Sequence, residues 1–383
     1  MNMAERNQFQ GFTLLELMVS MALGLLVMAA LASLFKMGMN STILVEQRTQ
    51  AQEEMRVGVD LMVKDLSLAG AGLPSGGVQL PTGTGNNGLS KFGCDQSGTC
   101  HVINFTYPPN GASTNYMYGI VPGYENGVEG GASITAAPSP PAINDSVTVV
   151  YADYNFPLSQ YNAQFTNANG TTVSLAASAT PYPPLITAAG GLQQGDIIMI
   201  TGGGKTAVGE LTNLASSGNG GTNTAAGTLT FANLDPLNLN QSGAQLGSLA
   251  QVAVATGVNT NVASIARLYV VTYYLSTAAT AAYAGAPQTV RLMRQVNGLT
   301  PVPVADNIIN LQFAYDTYNS TVTPAVLDAN QANPIGVGES PNNIQKINLV
   351  VMGQSINNWG NKSQNLYLAT DVSASNMAFR NSY

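Results

Sequence analysis

The stretch GFTLLELMVSMALG, residues 11–24, opens a long apolar segment of this chain. From Phe12 to Phe35 the sequence carries one charged side chain, Glu16, and the next charge is Lys36. As an α-helix this segment would be about 36 Å long, which is enough to cross the hydrocarbon core of a bilayer. The stretch therefore predicts a membrane-capable helix with a carboxylate close to its start.

The apolar segment differs from a secretory signal peptide. It is longer than the apolar region of about 7–15 residues that such signals use, and it contains the charge of Glu16. The sequence after it, SLFKMGMN (33–40), lacks small residues at the spacing that signal peptidase requires. We therefore interpret residues 12–35 as a retained transmembrane helix.

The helical pattern continues beyond the apolar segment. Helical spacings of four, three and four residues connect the apolar side chains Met55, Val59, Met62 and Leu66. The first proline downstream is Pro74, and AGAGLP (69–74) is a typical helix stop. The sequence predicts one helix from Phe12 to about Leu68, and residues 36–72 form an amphipathic segment that would lie on a sheet. Gly24, Gly38 and Gly58 are points where this helix could bend or locally unwind.

Residues 73–383 have the pattern of a β-rich domain. Alternating or β-branched segments predict at least six strands, most of them antiparallel: 145–154, 195–203, 268–275, 289–296, 309–316 and 345–355. Low-complexity stretches rich in Gly, Ala, Asn, Thr and Ser separate them, at about 127–144, 163–193 and 212–262. These stretches are predicted to be surface insertions or mobile loops. The predicted fold class is α+β.

The composition excludes one large class of function. Charged residues make up 9% of the chain, against roughly 25% in average soluble domains, and the net charge is −7. An acidic chain with few lysines lacks the basic patch that neutralises phosphates, so nucleic-acid binding is not expected.

Two cysteines, Cys94 and Cys100, lie close together in GCDQSGTC. In an oxidising compartment this spacing predicts a small disulfide loop, which would stabilise the fold by roughly 2–2.5 kcal/mol. Two free thiols are one alternative. A Cys/Cys/His metal site with His101 is another, although a fourth ligand at a typical zinc spacing is missing.

Several motifs that suggest enzyme chemistry are incomplete. GGGKT (202–206) lacks the first glycine of a phosphate-binding loop, because Met199 stands there, so a glycine turn after a strand is expected. His101 is the sole histidine and no G-x-S-x-G motif is present. The segment 316–334 does not match the spacing of an EF-hand calcium loop. The sequence therefore predicts neither an enzyme nor a bound cofactor or metal.

The junction GFTLLELMVSMALG resembles the leader junction of type IV prepilins and type II secretion pseudopilins. The resemblance implies that residues 1–11 are a leader peptide and that a prepilin peptidase cuts after Gly11. It implies that Phe12 becomes an N-methylated N-terminus. Glu16, then the fifth residue, would pair with the Phe12 amine of a neighbouring subunit during assembly.

Two further regions resemble PilW-type minor pilins. EEMRVGVDLMVKDLSLAGAG (53–72) is similar to the end of the long helix in those proteins, with Arg56, Asp65, Ala69 and Gly70 at matching places. The order of ARLYVVTYYL (266–275), VRLMRQ (290–295) and VADNIINLQFAYD (304–316) is also similar. J-type pseudopilins share this order, so the resemblance covers both kinds of filament.

The resemblance implies a type IV pilin fold and a role in priming pilus assembly, at the pilus tip, in support of adhesion and twitching motility. The implied partners are other minor pilins, the major pilin, the prepilin peptidase and the inner-membrane assembly platform, with a tip adhesin as a further candidate. The implied location is the inner membrane with a periplasmic domain, then the extracellular pilus. A J-type pseudopilin and a single-pass membrane-anchored adhesin or binding protein are the alternatives.

Overall fold

The structure is a computed structural model. It describes residues 12–81, 116–125, 127–128, 144–153, 155–156, 158–176, 191–216, 227–241, 243–277, 290–319, 322–324, 326–332, 340–355 and 365–378. The chain divides into two compact units. The first consists of Met1–Gln50 and Ser355–Gln364, and the second of Ala51–Gln354 and Asn365–Tyr383.

Helix α1 (Leu14–Ser67) is continuous over 54 residues. The prediction of one helix from Phe12 to about Leu68 is therefore confirmed. In the first unit its apolar side chains are exposed, among them Leu15, Leu25 and Phe35. Within the described part of the chain, α1 is the one helix that is long and apolar enough to cross a membrane, and it lies near the N-terminus.

In the second unit the last turns of α1 bury an apolar stripe. The predicted side chains Met55, Val59, Met62 and Leu66 are all buried. The helix continues without a break at Gly58. A Cβ there would meet the Ala305 Cβ at 3.0 Å, so glycine allows the helix to approach the sheet closely. The helix ends at the predicted glycines, since Gly70 and Gly72 have positive φ angles of 76° and 75°.

The described strands and the two shorter helices follow α1 in chain order. The strands are β1 (Val78–Gln79), β2 (Tyr116–Met117), β3 (Ile120–Gly123), β4 (Ser146–Ala152), β5 (Asn162–Phe165), β6 (Thr172–Ala176), β7 (Ile197–Gly202), β8 (Lys205–Glu210), β9 (Asn213–Ser216), β10 (Gly227–Thr230), β11 (Ser264–Ser276), β12 (Arg291–Val296), β13 (Val302–Asp306), β14 (Ile308–Asn319), β15 (Val326–Gln331), β16 (Ile344–Gln354) and β17 (Asn365–Ser373). The shorter helices are α2 (Leu249–Thr256) and α3 (Ser375–Ala378).

Antiparallel pairing joins the described strands into sheets. The central sheet has the order β13-β12-β11-β4-β3, with the β7–β8 hairpin attached to β11. A second sheet has the order β15-β14-β16-β17, a third the order β5-β6-β10-β9, and β1 pairs with β2. All six predicted strands are present, as β4, β7, β11, β12, β14 and β16. The α+β fold class is confirmed.

The main apolar cluster joins the buried stripe of α1 to the central sheet and to the second sheet. Tyr273 and Leu275 of β11, Leu311 and Phe313 of β14 and Leu349 of β16 belong to it. Each fully buried apolar side chain contributes about 1.5–3 kcal/mol. Packing against this cluster therefore holds the second half of α1 on the sheets.

The loop prediction for two of the low-complexity stretches was wrong over their described parts. Residues 163–176 and 227–256 contain β5, β6, β10 and α2, and they bury Phe165, Phe231 and Leu249 in an apolar cluster with the β7–β8 hairpin. Small residues make up most of these stretches, but the few large apolar side chains lie at alternating strand positions and on one helix face. The third stretch, 127–144, lies almost entirely outside the described residues.

Candidate assembly site at the start of the long helix

The first turn of α1 is closed by Thr13 and Glu16. The Thr13 backbone N–H donates to the Glu16 Oε2 at 3.1 Å, and the Thr13 hydroxyl donates to the same oxygen at 3.0 Å. The Glu16 N–H in turn lies 3.3 Å from the Thr13 Oγ1, which accepts from it. This reciprocal arrangement is a capping box, in which an N-cap threonine and a glutamate three residues later satisfy each other's backbone donors.

The capping box gives Glu16 a local role that the sequence analysis missed. The Thr-x-x-Glu spacing is a recognised helix-start signal, and it could have been identified in residues 13–16. Negative charge in a first turn is also favoured by the helix dipole. The carboxylate therefore has hydrogen-bond partners within its own chain, which lowers the cost of placing it near a bilayer.

The surface around this capping box is apolar and open. Phe12 is 87% exposed, and the described side chains of the following turns, such as Leu14 and Met18, are exposed as well. Contiguous exposed apolar surface of this extent marks a membrane or protein contact. The helix start can therefore bury its side chains in lipid or against the helices of other subunits.

The remaining predicted site residues lie outside the described residues. Gly11, on the leader side of the predicted cleavage point, is one of them, as are Cys94, Cys100 and His101. Cleavage between Gly11 and Phe12, methylation of Phe12 and the disulfide stay predictions. No group of three or more His, Cys, Asp or Glu side chains that could hold a metal occurs in the described ranges.

The opposite end of α1 is fixed by a second carboxylate, Asp65, which is 2% exposed. Its Oδ2 accepts from the Tyr273 hydroxyl at 2.6 Å and from the Arg294 Nε at 2.9 Å. Its Oδ1 accepts from the Tyr151 hydroxyl at 3.0 Å. Strands β4, β11 and β12 thus each contribute a donor to one helix carboxylate, and the polar groups of this buried cluster are satisfied by one another.

The pKa values of the three donors to Asp65 are all raised, so each donor keeps its proton. Burial raises the pKa of both Tyr151 and Tyr273, and the negative charge of Asp65 raises it further. Burial alone would lower the pKa of Arg294, but hydrogen bonding and attraction to Asp65 outweigh it, so that pKa is raised. The tyrosines therefore stay neutral donors and the arginine stays charged, which keeps Asp65 paired.

The other two strand arginines, Arg267 and Arg291, also form ion pairs. Arg267 is buried and is hydrogen-bonded to Asp153 through both Nε and Nη2, while its Nη1 donates to the Gly191 carbonyl oxygen at 2.9 Å. The Arg291 Nε lies 3.1 Å from the Asp306 Oδ1. Arg267, Arg291 and Arg294 therefore act within the fold.

The glycine motif GGGKT forms the tight turn that was expected. Gly203 and Gly204 connect β7 and β8 with positive φ angles of 56° and 73°. Asp316 and Asp328, the acidic residues of the 316–334 segment, accept hydrogen bonds from asparagines at the paired edge of β14 and β15. These contacts give both motifs a structural role in their hairpins.

Residues 6–32 match the prokaryotic N-terminal methylation motif. This match covers the predicted leader junction, the capping box and most of the apolar segment, so the chain carries a prepilin-type signal followed by a membrane-capable helix. The comparisons with curated proteins and with solved structures give no match. The motif supports a type IV pilin-like or pseudopilin-like protein, and the α+β architecture is consistent with such a fold.

Proposed function

We propose that this chain is a minor pilin of the PilW type, a low-copy subunit that helps to prime type IV pilus assembly. The observation that carries the proposal is the methylation motif at residues 6–32, together with an exposed apolar helix that begins within it at Leu14. The α+β architecture behind that helix supports the same conclusion. A structural role is also favoured over catalysis, because the buried charged clusters of Asp65 and Arg267 are paired within the fold.

In this proposal the prepilin peptidase removes residues 1–11 and Phe12 becomes the methylated N-terminus. The capping box lies wholly within residues 13–16, so cleavage after Gly11 leaves all of its hydrogen bonds in place. Residues 12–35 then hold the subunit in the inner membrane, with the globular domain in the periplasm. The helix is already capped when it leaves the membrane for the filament.

Glu16 has a second task in the assembled filament. Its carboxylate would pair with the Phe12 amine of a neighbouring subunit while it continues to accept from Thr13. A carboxylate can accept several hydrogen bonds at once, so the two roles are chemically compatible. A buried ion pair compensates for lost hydration only when its geometry is good, and the pair would therefore favour correctly docked helices.

The size of the domain supports a position at the end of the filament. The described insertions that contain β5, β6, β9, β10 and α2 form an apolar cluster with the β7–β8 hairpin, and they add to the domain beyond the central and second sheets. Such a domain would obstruct regular stacking along a fibre, and this favours the tip. The proposed partners are other minor pilins, the major pilin and the assembly platform, and the resulting pilus would serve adhesion and twitching motility.

The pairing role can be separated from the capping role by substitution. Glu16→Gln keeps an acceptor for Thr13, because glutamine also completes a capping box, but it removes the charge. Glu16→Ala removes both the acceptor for Thr13 and the negative charge. The protein would be quantified in sheared filaments and in the membrane fraction, with Glu46→Gln, an exposed glutamate of the same helix, as the matched control.

We expect all three variants to insert in the membrane. Both Glu16 variants should reach the filament at roughly one tenth of the wild-type level or less, since a loss of about 1.4 kcal/mol changes an equilibrium tenfold. Glu46→Gln should behave as wild type. Normal incorporation of Glu16→Gln would contradict the pairing. Recovery of the protein in a secretion filament instead of pili would favour a J-type pseudopilin.

A further inference from the structure

The edge of β14 changes its partner half-way along the strand. From Tyr315 to Asn319 it pairs with β15. Ahead of that point, Asp145 N–H donates to the Leu311 carbonyl oxygen at 2.9 Å, and the Asp145 Oδ2 accepts from the Phe313 N–H at 3.0 Å. Along the first half of this edge, β14 is thus hydrogen-bonded to a loop residue, Asp145, and not to a neighbouring strand. A gap separates Asp145 from β15.

A cleft of about 320 Å³ opens at this gap. Its size falls within the usual range for small-molecule sites, roughly 300–1,000 Å³. Polar side chains line it from both partners and from the outer face of the sheet, namely Asp145, Gln312, Asn330 and Asn348, and Tyr124 lies at its rim. Since the sheet buries its other face in the main apolar cluster, this arrangement rests on a rigid base.

Hydrogen bonds hold the polar groups of the cleft in position. The Asn348 Nδ2 donates to the Asp316 Oδ1 at 3.1 Å and to the Asn330 Oδ1 at 2.8 Å. At the other side, the Asp145 Oδ1 accepts from the Glu125 N–H at 3.0 Å, while its second oxygen is held by Phe313. Groups fixed in this way lose little conformational entropy when a ligand binds.

The chemistry of the lining selects a class of ligand. The described lining residues include no Lys, Arg or His, so an anionic ligand would meet a carboxylate without a compensating cation. Besides Tyr124, the apolar side chains of the lining are Phe313, Ala314, Ala332 and Val350. Phe313 is 2% exposed and two of the others are alanines, so a large hydrophobic ligand has little to contact. Planar amides and a carboxylate provide acceptors and donors for hydroxyl groups, and the Tyr124 ring, 37% exposed, offers a face for C–H groups.

We propose that this cleft binds one unit of a neutral saccharide. A polyhydroxylated ring has the required alternation of hydroxyl groups and apolar C–H faces. A bound divalent cation would need several carboxylates, and the described residues contain no cluster of three acidic or other metal-binding side chains. The inference is independent of the proposed function, because the cleft is built entirely from residues of the globular domain.

Saturation-transfer NMR on the full chain tests this proposal, in a detergent without a sugar headgroup. The probes are glucose, galactose, mannose, fucose, N-acetylglucosamine and N-acetylgalactosamine at millimolar concentration, with sialic acid as the anionic comparison. The test variant is Tyr124→Ala/Gln312→Ala, because both side chains are exposed and can be removed without opening the core. The matched control is Tyr367→Ala, which removes a 67% exposed tyrosine of β17 outside the cleft.

We expect saturation transfer to at least one neutral sugar, at least fivefold weaker in the double variant and unchanged in Tyr367→Ala. Equal thermal unfolding midpoints would show that all three proteins are folded. The proposal is overturned if no neutral sugar gives a signal. It is equally overturned if the double variant retains the full signal, or if sialic acid binds better than every neutral sugar.

Discussion

Helix α1 carries an acidic residue near each end, and the two are satisfied in opposite ways. Glu16 is exposed and its hydrogen-bond partner, Thr13, lies within the same turn. Asp65 is buried, and its partners Tyr151, Tyr273 and Arg294 come from three strands far away in the sequence. One carboxylate therefore depends on local geometry and the other on the completed fold.

This difference separates the tasks of the two ends. The first end keeps its carboxylate accessible, so it is free to meet a partner outside the chain. The second uses its carboxylate to connect the helix to β4, β11 and β12. A mutation at Asp65 should therefore act on folding, whereas one at Glu16 should act on assembly with little effect on folding.

The largest effect should come from Asp65→Ala. It leaves Arg294 as a partly buried charge and two tyrosine hydroxyl groups without their acceptor, and breaking such a pair costs about 3–5 kcal/mol. Denaturant unfolding of the full chain in detergent would measure the loss. Asp60→Ala, an exposed acidic residue of the same helix, should change stability by less than about 0.5 kcal/mol. Equal losses of unfolding free energy in the two variants would show that the contacts of Asp65 add no stability.

A third carboxylate, that of Asp145, should make the stability of the fold depend on pH. Burial raises its pKa to about 6, while hydrogen bonds from the backbone N–H groups of Glu125 and Phe313 oppose the shift and the Glu125 charge adds to it. As the pH rises, the unfolded chain therefore loses the Asp145 proton at a lower pH than the folded protein does. The stability contribution of this group is present below about pH 4 and is lost as the pH rises through about 6.

Asp145→Asn should remove this part of the pH dependence. Between pH 4 and pH 7 the wild type should lose roughly 2–3 kcal/mol more than the variant, since one pKa unit corresponds to 1.36 kcal/mol. Urea unfolding at the two pH values measures this difference, in which titrating groups common to both proteins cancel. An equal change in unfolding free energy between the two pH values in both proteins would show that burial does not raise the pKa of Asp145.

The individual donors to Asp65 should differ in strength. Tyr273 is completely buried, donates at 2.6 Å and lies 3.1 Å from the Arg294 Nε, whereas Tyr151 is 8% exposed and donates at 3.0 Å. Hydrogen bonds to charged groups contribute about 1.5–3 kcal/mol. We expect Tyr273→Phe to destabilise the protein by about 2 kcal/mol and Tyr151→Phe by less, in the same unfolding assay. The reverse order would show that exposure does not set the strength of these bonds.

The smallest effect should come from Thr13. Thr13→Ala removes the hydroxyl group of the capping box and should weaken the first turn by about 1 kcal/mol, while Thr13→Ser keeps the hydroxyl and the cap. Amide hydrogen exchange of residues 14–17 in micelles would report this change as faster exchange in the alanine variant alone. Faster exchange in both variants would argue against the cap.

Local signals predicted the outline of the fold. The apolar segment, the Met55–Leu66 spacing and the terminal glycines gave the helix, and β-branched runs gave the six strands, because each depends on neighbours in the sequence. The donors to Asp65 could not be predicted, since they are brought together only by strand pairing. The strands and the short helix of the insertions were missed because their buried side chains, such as Phe165 and Phe231, are widely spaced among small residues.

The candidate sites show the same division. The capping box could have been identified from residues 13–16, whereas the cleft between Asp145 and Asn330 could not, because it exists only where β14 changes partner. A site formed within one turn is encoded locally. A site between two edges of a sheet depends on the register of both, which the sequence pattern alone does not specify.

The proposed assembly requires that Phe12, at the exposed end of α1, is the processed terminus of a pilin. Mass spectrometry of the N-terminal peptide from the mature protein, purified from the cell envelope, measures this processing. We expect a peptide that begins at Phe12 and carries one methyl group on its amine. A mature protein that still begins at Met1 would rule out this processing and would identify residues 12–35 as a simple membrane anchor.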